Sequence, residues 1–283
     1  MMSTPKGGDM VREVFVFGAG KVGKNLARAC RETGCKVTLR AARAGLPTKP
    51  LEADFVIIAV RDGDIANVAA ALVERKLIGH APCVVVHCAG ALGPEALAAA
   101  RVHNVHVAQM HPMISFAAPD TLPDLRRGQL HVDGDKRAVT VAKGLGKQLG
   151  MTPRTIAGLD RIAYHAAAGL VANGAAALAA GGVELLGRAG IDAKTAAKML
   201  GPLLRSVGDN VEQLGLPQAL TGPVRRGDKN AVMKHLATIE RLAPHLAGFY
   251  AAAARAQLPL ARSLGEAPRG NFDEIEAVLS ARG

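Results

Sequence analysis

Arg161, His165, Gly169 and Asn173 stand four residues apart, so any helix containing them presents all four on one face. An imidazole there, with an ordinary pKa of about 6.5, is suited to delivering a proton opposite an incoming hydride. Gly169 leaves room for a ligand against the backbone, and Asn173 can orient a substrate or a water. The plainer alternative is a histidine bonded to a neighbouring carbonyl. Both readings stay open from the residues alone.

Further polar groups fall at the ends of apolar runs. His111 follows Val105–Met110 and opens a proline-rich stretch to Asp135, with Ser115 close behind it. Open α/β sheets bind ligands at such strand ends, so His111 is a candidate catalytic group and Ser115 a candidate substrate contact. His87, Cys88 and Gly90 end another run and Val60, Arg61 and Asp62 a third, so both sets are expected along a cleft. Thr221, Arg225 and Asp228 are grouped between turn residues; Arg225 is a candidate clamp for a substrate carboxylate, and Asp228 a candidate helix cap.

The most specific pattern is Gly18-Ala19-Gly20-Lys21-Val22-Gly23, directly after Glu13–Phe17. The glycines allow a tight turn, close approach of a pyrophosphate, and close packing of the next helix, whose first N–H groups hold the anion. Twenty-two residues beyond Gly18 stands Arg40, then Arg43, with no acid between Glu32 and Glu52. A cation where NAD-binding chains carry an acid points to the 2′-phosphate of NADP. His87, Cys88 and Gly90 are then expected along the nicotinamide side of the cleft, and Val60, Arg61 and Asp62 in a cofactor loop.

These groups need a scaffold. Apolar runs at Glu13–Phe17, Lys36–Leu39, Phe55–Val60, Cys83–His87, Val105–Met110 and Gln129–Val132 read as strands, with a short one around Met151–Thr155. Helices are expected at Lys21–Thr33, Ile65–Arg75, Pro94–Arg101 and Lys136–Leu149. That alternation predicts an α/β, doubly wound parallel-sheet Rossmann domain over residues 1–157. Residues 158–283 read as an all-α domain. Its first helix is capped by Asp160 and runs to about Arg188, a second runs from Asp192 to about Met199, and a third, with Pro202 early in it, runs to about Leu214. Asn230–Arg241, Leu246–Gln257 and Asp273–Arg282 follow.

The fingerprint, together with Ala53–Asp62, Val86–Gly90, His111–Phe116, Tyr164-His165 with Asn173, and Ala219–Asp228, resembles the superfamily of 6-phosphogluconate dehydrogenase, pyrroline-5-carboxylate reductase and ketopantoate reductase. It is similar in particular to bacterial oxidoreductases that join a Rossmann-like domain to a helical C-terminal domain of unknown function. The resemblance implies nicotinamide cofactor binding and a helical domain that helps to form a homodimer. It also exposes a departure. Hydroxyacid dehydrogenases and ketopantoate reductases of the superfamily place a catalytic Lys four residues before an Asn on the first long helix of the second domain; with Asn173 as that Asn, the position holds Gly169.

Composition narrows the partners. The 283 residues carry 35 Lys and Arg against 24 Asp and Glu, a net charge of +11, yet there is no Trp and only two Tyr and six Phe. Ten of the cations and three of the acids fall in residues 1–50, around the fingerprint. Aromatic platforms for stacked bases are lacking, so a dinucleotide and a small-molecule substrate are expected rather than a nucleic acid. Four cysteines embedded in apolar segments read as free thiols, with no metal site. Gly7, Gly8 and Asp9 interrupt any export signal, and Ile162–Val183, although uncharged, reads as a buried central helix rather than a membrane span. A cytoplasmic NADP-dependent oxidoreductase is the expectation; the other reading is a catalytically silent NADP(H)-binding sensor or assembly protein.

Overall fold

The structure, a computed structural model, describes residues 11–281; the reading of Met1–Met10 and the end of the last helix at Arg282 lie outside them. Seven strands form one sheet: β1 (Glu13–Phe17), β2 (Lys36–Arg40), β3 (Phe55–Ile58), β4 (Cys83–His87), β5 (Val105–Met113), β6 (Gln129–Gly134) and β7 (Thr152–Arg154), in the order β2-β1-β3-β4-β5-β6-β7. The pairs from β2 through β5 are parallel, whereas β6 lies antiparallel to β5 and β7 parallel to β6. The sheet is therefore mostly rather than wholly parallel.

Both faces of the sheet are covered. Val14, Val16, Ile57 and Val86 pack with Leu26 and Cys30 of α1 (Lys21–Glu32) and Ala142 and Leu145 of α3 (Lys136–Gln148). The alternate residues Phe15, Val56, Ile58 and Val85 pack with Ala69 and Leu72 of α2 (Ile65–Glu74) and with Leu97 of a 3₁₀ segment at Pro94–Ala100. Successive strand side chains point to opposite faces, so apolar residues at every position are needed to bury a sheet from both sides. That is why these strands read as continuous apolar runs.

The chain divides into two compact units, with the boundary between Gly169 and Leu170. It falls inside α4 (Arg161–Arg188), beyond the change in composition at residue 158, and the first turns of this helix belong with the sheet. Asp160 caps α4 by accepting from the backbone N–H groups of Ile162 and Ala163. In the second unit, α6 (Lys229–Leu242), α7 (Ala247–Leu264) and α8 (Arg269–Ser280) enclose Val232, Leu236, Leu258, Phe272 and Ile275.

Two expectations for the helices need correction. α5 is a single helix, Ala193–Leu214, with Pro202 inside it rather than at the start of a third helix. Gly201 has no Cβ to clash with the proline ring, which removes part of the usual penalty at the preceding residue. Secondly, α4 is not a buried central helix: no residue along it is buried in this chain. Leu170, Val171 and Leu178 of α4 are exposed, and on α5 Leu203, Val207, Val211 and Leu214 form an exposed apolar stripe at helical spacing. Among the described residues α4 is the one helix long and apolar enough to cross a membrane.

Candidate functional site

The strand order places the topological switch between β1 and β3, the point where an open α/β sheet leaves a crevice beyond its carboxyl ends. A cavity of about 840 Å³ lies there, walled by residues that follow β1, β2, β3 and β4 in turn. Gly18 leaves β1 with φ +116°, and a Cβ on it would come within 2.2 Å of the Ala59 carbonyl oxygen. A Cβ on Gly23 would come within 1.8 Å of the Gly18 oxygen, so both positions are reserved for glycine by backbone contact. Gly20 differs: nothing lies within 4 Å of the place its Cβ would take. It begins α1 with no side-chain cap and no acid in the first turn. The first N–H groups of α1 lack helical partners and open on the cavity. The surroundings of Gly20 thus fit a phosphate laid against bare backbone.

Of the residues expected to hold the dinucleotide, Gly18, Ala19, Gly20, Lys21, Val22, Arg43, Val60, Arg61 and Cys88 line this cavity. Asp62, expected beside Arg61, lines it as well; Lys24, Asp64 and Ala89 join them and were missed, because each lies in a loop or helix turn with no motif of its own. Arg40 is a correction. Its guanidinium donates through Nε to the Gly45 carbonyl and through Nη2 to that of Ala44 at 2.8 Å. It thereby braces the 3₁₀ turn Ala42–Ala44 and lines a separate groove on the β2 side. Arg43 is exposed and does line the cavity, as do the exposed Lys21 and Arg61.

His87 is a second correction. It is fully buried, its Nε2 meets the Gly93 carbonyl at 2.9 Å, and its Nδ1 accepts the Ala89 N–H at 3.2 Å. These bonds fix the tautomer as Nε2–H and make the side chain a clamp on the Ala89–Gly93 turn. Burial lowers its pKa, which keeps it neutral. Cys88 lines the cavity, with burial pushing its thiol up to about 12. Gly90 stands just past the cavity's lining. There a Cβ would meet His165 Nδ1 at 2.5 Å and His111 Nε2 at 2.8 Å, so two imidazoles close on one glycine.

His111 does not open a loop. β5 continues through it to Met113, and His111 pairs with His131 across the antiparallel ladder. Its Nδ1 lies 3.4 Å from the Tyr164 hydroxyl, and burial, then the charges of His165, His131 and His87, push its pKa down to about 4. Behind it Gln109, fully buried, donates to the Ala89 carbonyl at 2.9 Å. Its oxygen faces His131 Nδ1 at 2.9 Å, which assigns the proton there to His131. Nearby, Arg161 pairs with Asp133 and ties the start of α4 to β6, and its buried Nε has no hydrogen-bond partner among the described residues. Four histidines, one tyrosine and one glutamine thus gather at the carboxyl end of β4 and β5; His87, His111 and His165 were expected near a site, whereas no local pattern gave His131, Gln109 and Tyr164 a role.

The other expected residues lie apart from this cluster. Ser115 is exposed in the segment after β5, which folds back onto α1 where Asn25 Nδ2 donates to the Ala118 carbonyl at 2.8 Å. Asn173 is exposed on α4 in the second unit. Thr221 is exposed in that unit too. Arg225 is a third correction: it grips Glu266 through Nε and Nη2, and its Nη1 donates to the carbonyls of Gln218 and Leu220. A guanidinium so fully engaged is a strut, leaving no fork for a substrate carboxylate. Asp228 caps α6 by accepting the Ala231 N–H at 3.0 Å.

Comparison with known proteins agrees with this architecture. Residues 129–257 match the family Domain of unknown function (DUF2520), a stretch that begins in β6 and ends within α7. No curated protein matches the chain. Among solved structures, a protein from Bacteroides fragilis described as a "putative NADP oxidoreductase" is similar with a TM-score of 0.68 and 19% identity, over 88% of this chain and 98% of that one. A pyrroline-5-carboxylate reductase from Coxiella burnetii has a TM-score of 0.57 and 16% identity, over 90% and 99%. An imine reductase from Pseudomonas sp. has a TM-score of 0.57 and 20% identity, over 97% and 100%. Residues 129–257 are thus similar to the DUF2520 family, and the chain as a whole has the fold of these solved structures.

Proposed function

We propose that the chain is an NADP(H)-dependent oxidoreductase that moves a hydride between the nicotinamide and a small carbonyl or imine compound. The observation that carries this reading is Gly20, a glycine that no protein contact requires, at the uncapped start of α1 beside a large cavity. The Gly18–Val22 backbone would hold the pyrophosphate, and Arg43 the 2′-phosphate. The cofactor, when bound, supplies the hydride. Cys88 and Ala89 carry the cavity toward Gly90, where His111 and His165 would place imidazole nitrogens against the substrate atom that gains negative charge as hydride arrives. His165 is the proposed proton donor in place of the absent lysine at Gly169. The names of several structures similar in fold, which include NADP oxidoreduction and imine reduction, support the same reading.

We also infer a cytoplasmic homodimer. The exposed apolar residues of α4 and α5 support it, since a lone soluble chain rarely leaves so long an apolar stripe in water. The test of the whole reading is direct. NADPH should bind to the purified chain, tighter than NADH, and should be oxidised with some member of a panel of oxoacids, ketones and cyclic imines. Binding without oxidation across the panel would favour the silent sensor, and no binding would remove both readings.

A further inference from the structure

We propose that Tyr164 is a positioning residue that fixes His111 as its Nε2–H tautomer, so that one neutral N–H donor faces the Gly90 turn. The Tyr164 hydroxyl has a single hydrogen-bond partner among the described residues, His111 Nδ1 at 3.4 Å. The two rings meet edge to face with centroids 5.5 Å apart, and the Tyr164 ring also leans on His131 at 5.6 Å. The tyrosine is thus held from two sides.

The direction of the bond follows from the groups that meet. A phenol is a stronger acid than a neutral imidazole N–H, so the stronger pairing has the hydroxyl donating and Nδ1 accepting. Burial raises the pKa of Tyr164, which keeps its proton in place, while burial and the neighbouring histidines keep His111 neutral. A neutral imidazole whose Nδ1 accepts must carry its proton on Nε2. Nε2 is the atom that closes on Gly90, opposite His165 Nδ1. The competing arrangement would have His111 donate from Nδ1 and the hydroxyl turn toward His131 Nε2. No hydrogen bond joins the hydroxyl to that nitrogen, whereas the bond to His111 Nδ1 is formed.

The consequence for chemistry rests on the proposed function: a donor preset toward Gly90 would polarise a carbonyl or imine and need no reorganisation when charge develops. The tautomer itself can be measured without any turnover. The full chain, labelled with ¹⁵N-histidine, holds nine histidines, and a His111→Gln variant identifies the signal. At neutral pH the expected His111 spectrum has a proton-bearing Nε2 and a bare Nδ1. Replacing both tyrosines by 3-fluorotyrosine makes each hydroxyl a stronger donor and should shift His111 Nδ1 toward the protonated side. His235, whose Nδ1 meets Tyr250 at 3.0 Å, provides a parallel pair in the same sample. In Tyr164→Phe, which keeps the ring packing, the Nδ1–H tautomer should appear.

A proton on His111 Nδ1 in the unaltered chain, or an Nδ1 signal unmoved by fluorotyrosine, overturns the proposal. Failure to bind NADPH would instead sink the functional reading and leave the tautomer assignment standing. With a turnover assay in hand, Tyr164→Phe should lower kcat about 10-fold, the scale of one hydrogen bond, with KM for NADPH nearly unchanged.

Discussion

The rings of His111 and His165 meet edge to face with centroids 6.0 Å apart, and their facing nitrogens leave room for a hydrogen but not a methyl group on Gly90. This contact joins a strand of the sheet, the turn after β4 and the first turns of α4, all within the first unit.

Gly90→Ala should therefore displace one imidazole or the turn itself. We expect turnover to fall by 10-fold or more, with NADPH affinity within about 3-fold of the original, since Gly90 is not among the residues lining the cavity. The added methyl should cost about 1–3 kcal/mol of stability by overpacking. Paired kinetic and equilibrium-binding measurements separate the effects.

Gly20 and Gly23 of the first turn should respond in opposite ways. Gly23→Ala would press a Cβ against the Gly18 carbonyl, so the sheet unit should lose its cooperative melting transition or show it at a much lower temperature. Gly20→Ala, facing open space, should melt near the original temperature yet bind NADPH more weakly. A Gly20→Ala variant with unaltered affinity would remove the pyrophosphate from that turn.

Arg40 and Arg43 should separate by type of loss. Arg43→Gln is expected to weaken NADPH by roughly 10- to 100-fold, the scale of a charge-assisted hydrogen bond, while leaving NADH largely alone. Arg40→Gln frees the Ala44 and Gly45 carbonyls and should weaken both dinucleotides together through a loosened turn. Titrating both variants with both cofactors is the check.

Stability should depend on pH through His111. Its folded pKa of about 4 lies below the ordinary 6.5, so between these values the unfolded chain binds more protons. Stability is full above about pH 6.5 and is lost as pH falls toward 4. The contribution is on the order of 3 kcal/mol at most, with His87 and His131 shifted in the same direction. His111→Gln should flatten the denaturant midpoint across that window.

A charge on the apolar stripe should break the proposed dimer. Leu203→Glu or Val207→Glu is expected to give a monomer by light scattering with its helical circular dichroism retained. A dimer that persists in both variants would place the interface elsewhere.

Most of the fold was legible because strands buried on both faces carry their own pattern: β1 and β4 match the expected bounds and the others differ only at their ends. The errors have local causes. Pro112 suggested the end of a strand, but β4 pairs with β5 only as far as Gln109, and a proline is tolerated where one side of a strand has no neighbour. Pro202 suggested a helix break that Gly201 averts. For the site, the glycine turn was readable since its chemistry is contiguous. Arg40 was misassigned because spacing gives a side chain's starting point, not which carbonyls it then finds. Tyr164 was passed over as a role because its partner lies 53 residues away on another element.

The antiparallel β6 carries a lesson about modularity. The family-matched segment opens at Gln129, yet β6 is knit to β5 over six residue pairs from Ala108↔Gly134 to Met113↔Gln129, and α3 packs into the same core as α1. Cut out by its family boundaries, residues 129–257 would expose a bare strand edge and half a core. Excision at that boundary should therefore yield insoluble protein, and the matched segment is not a folding unit of its own.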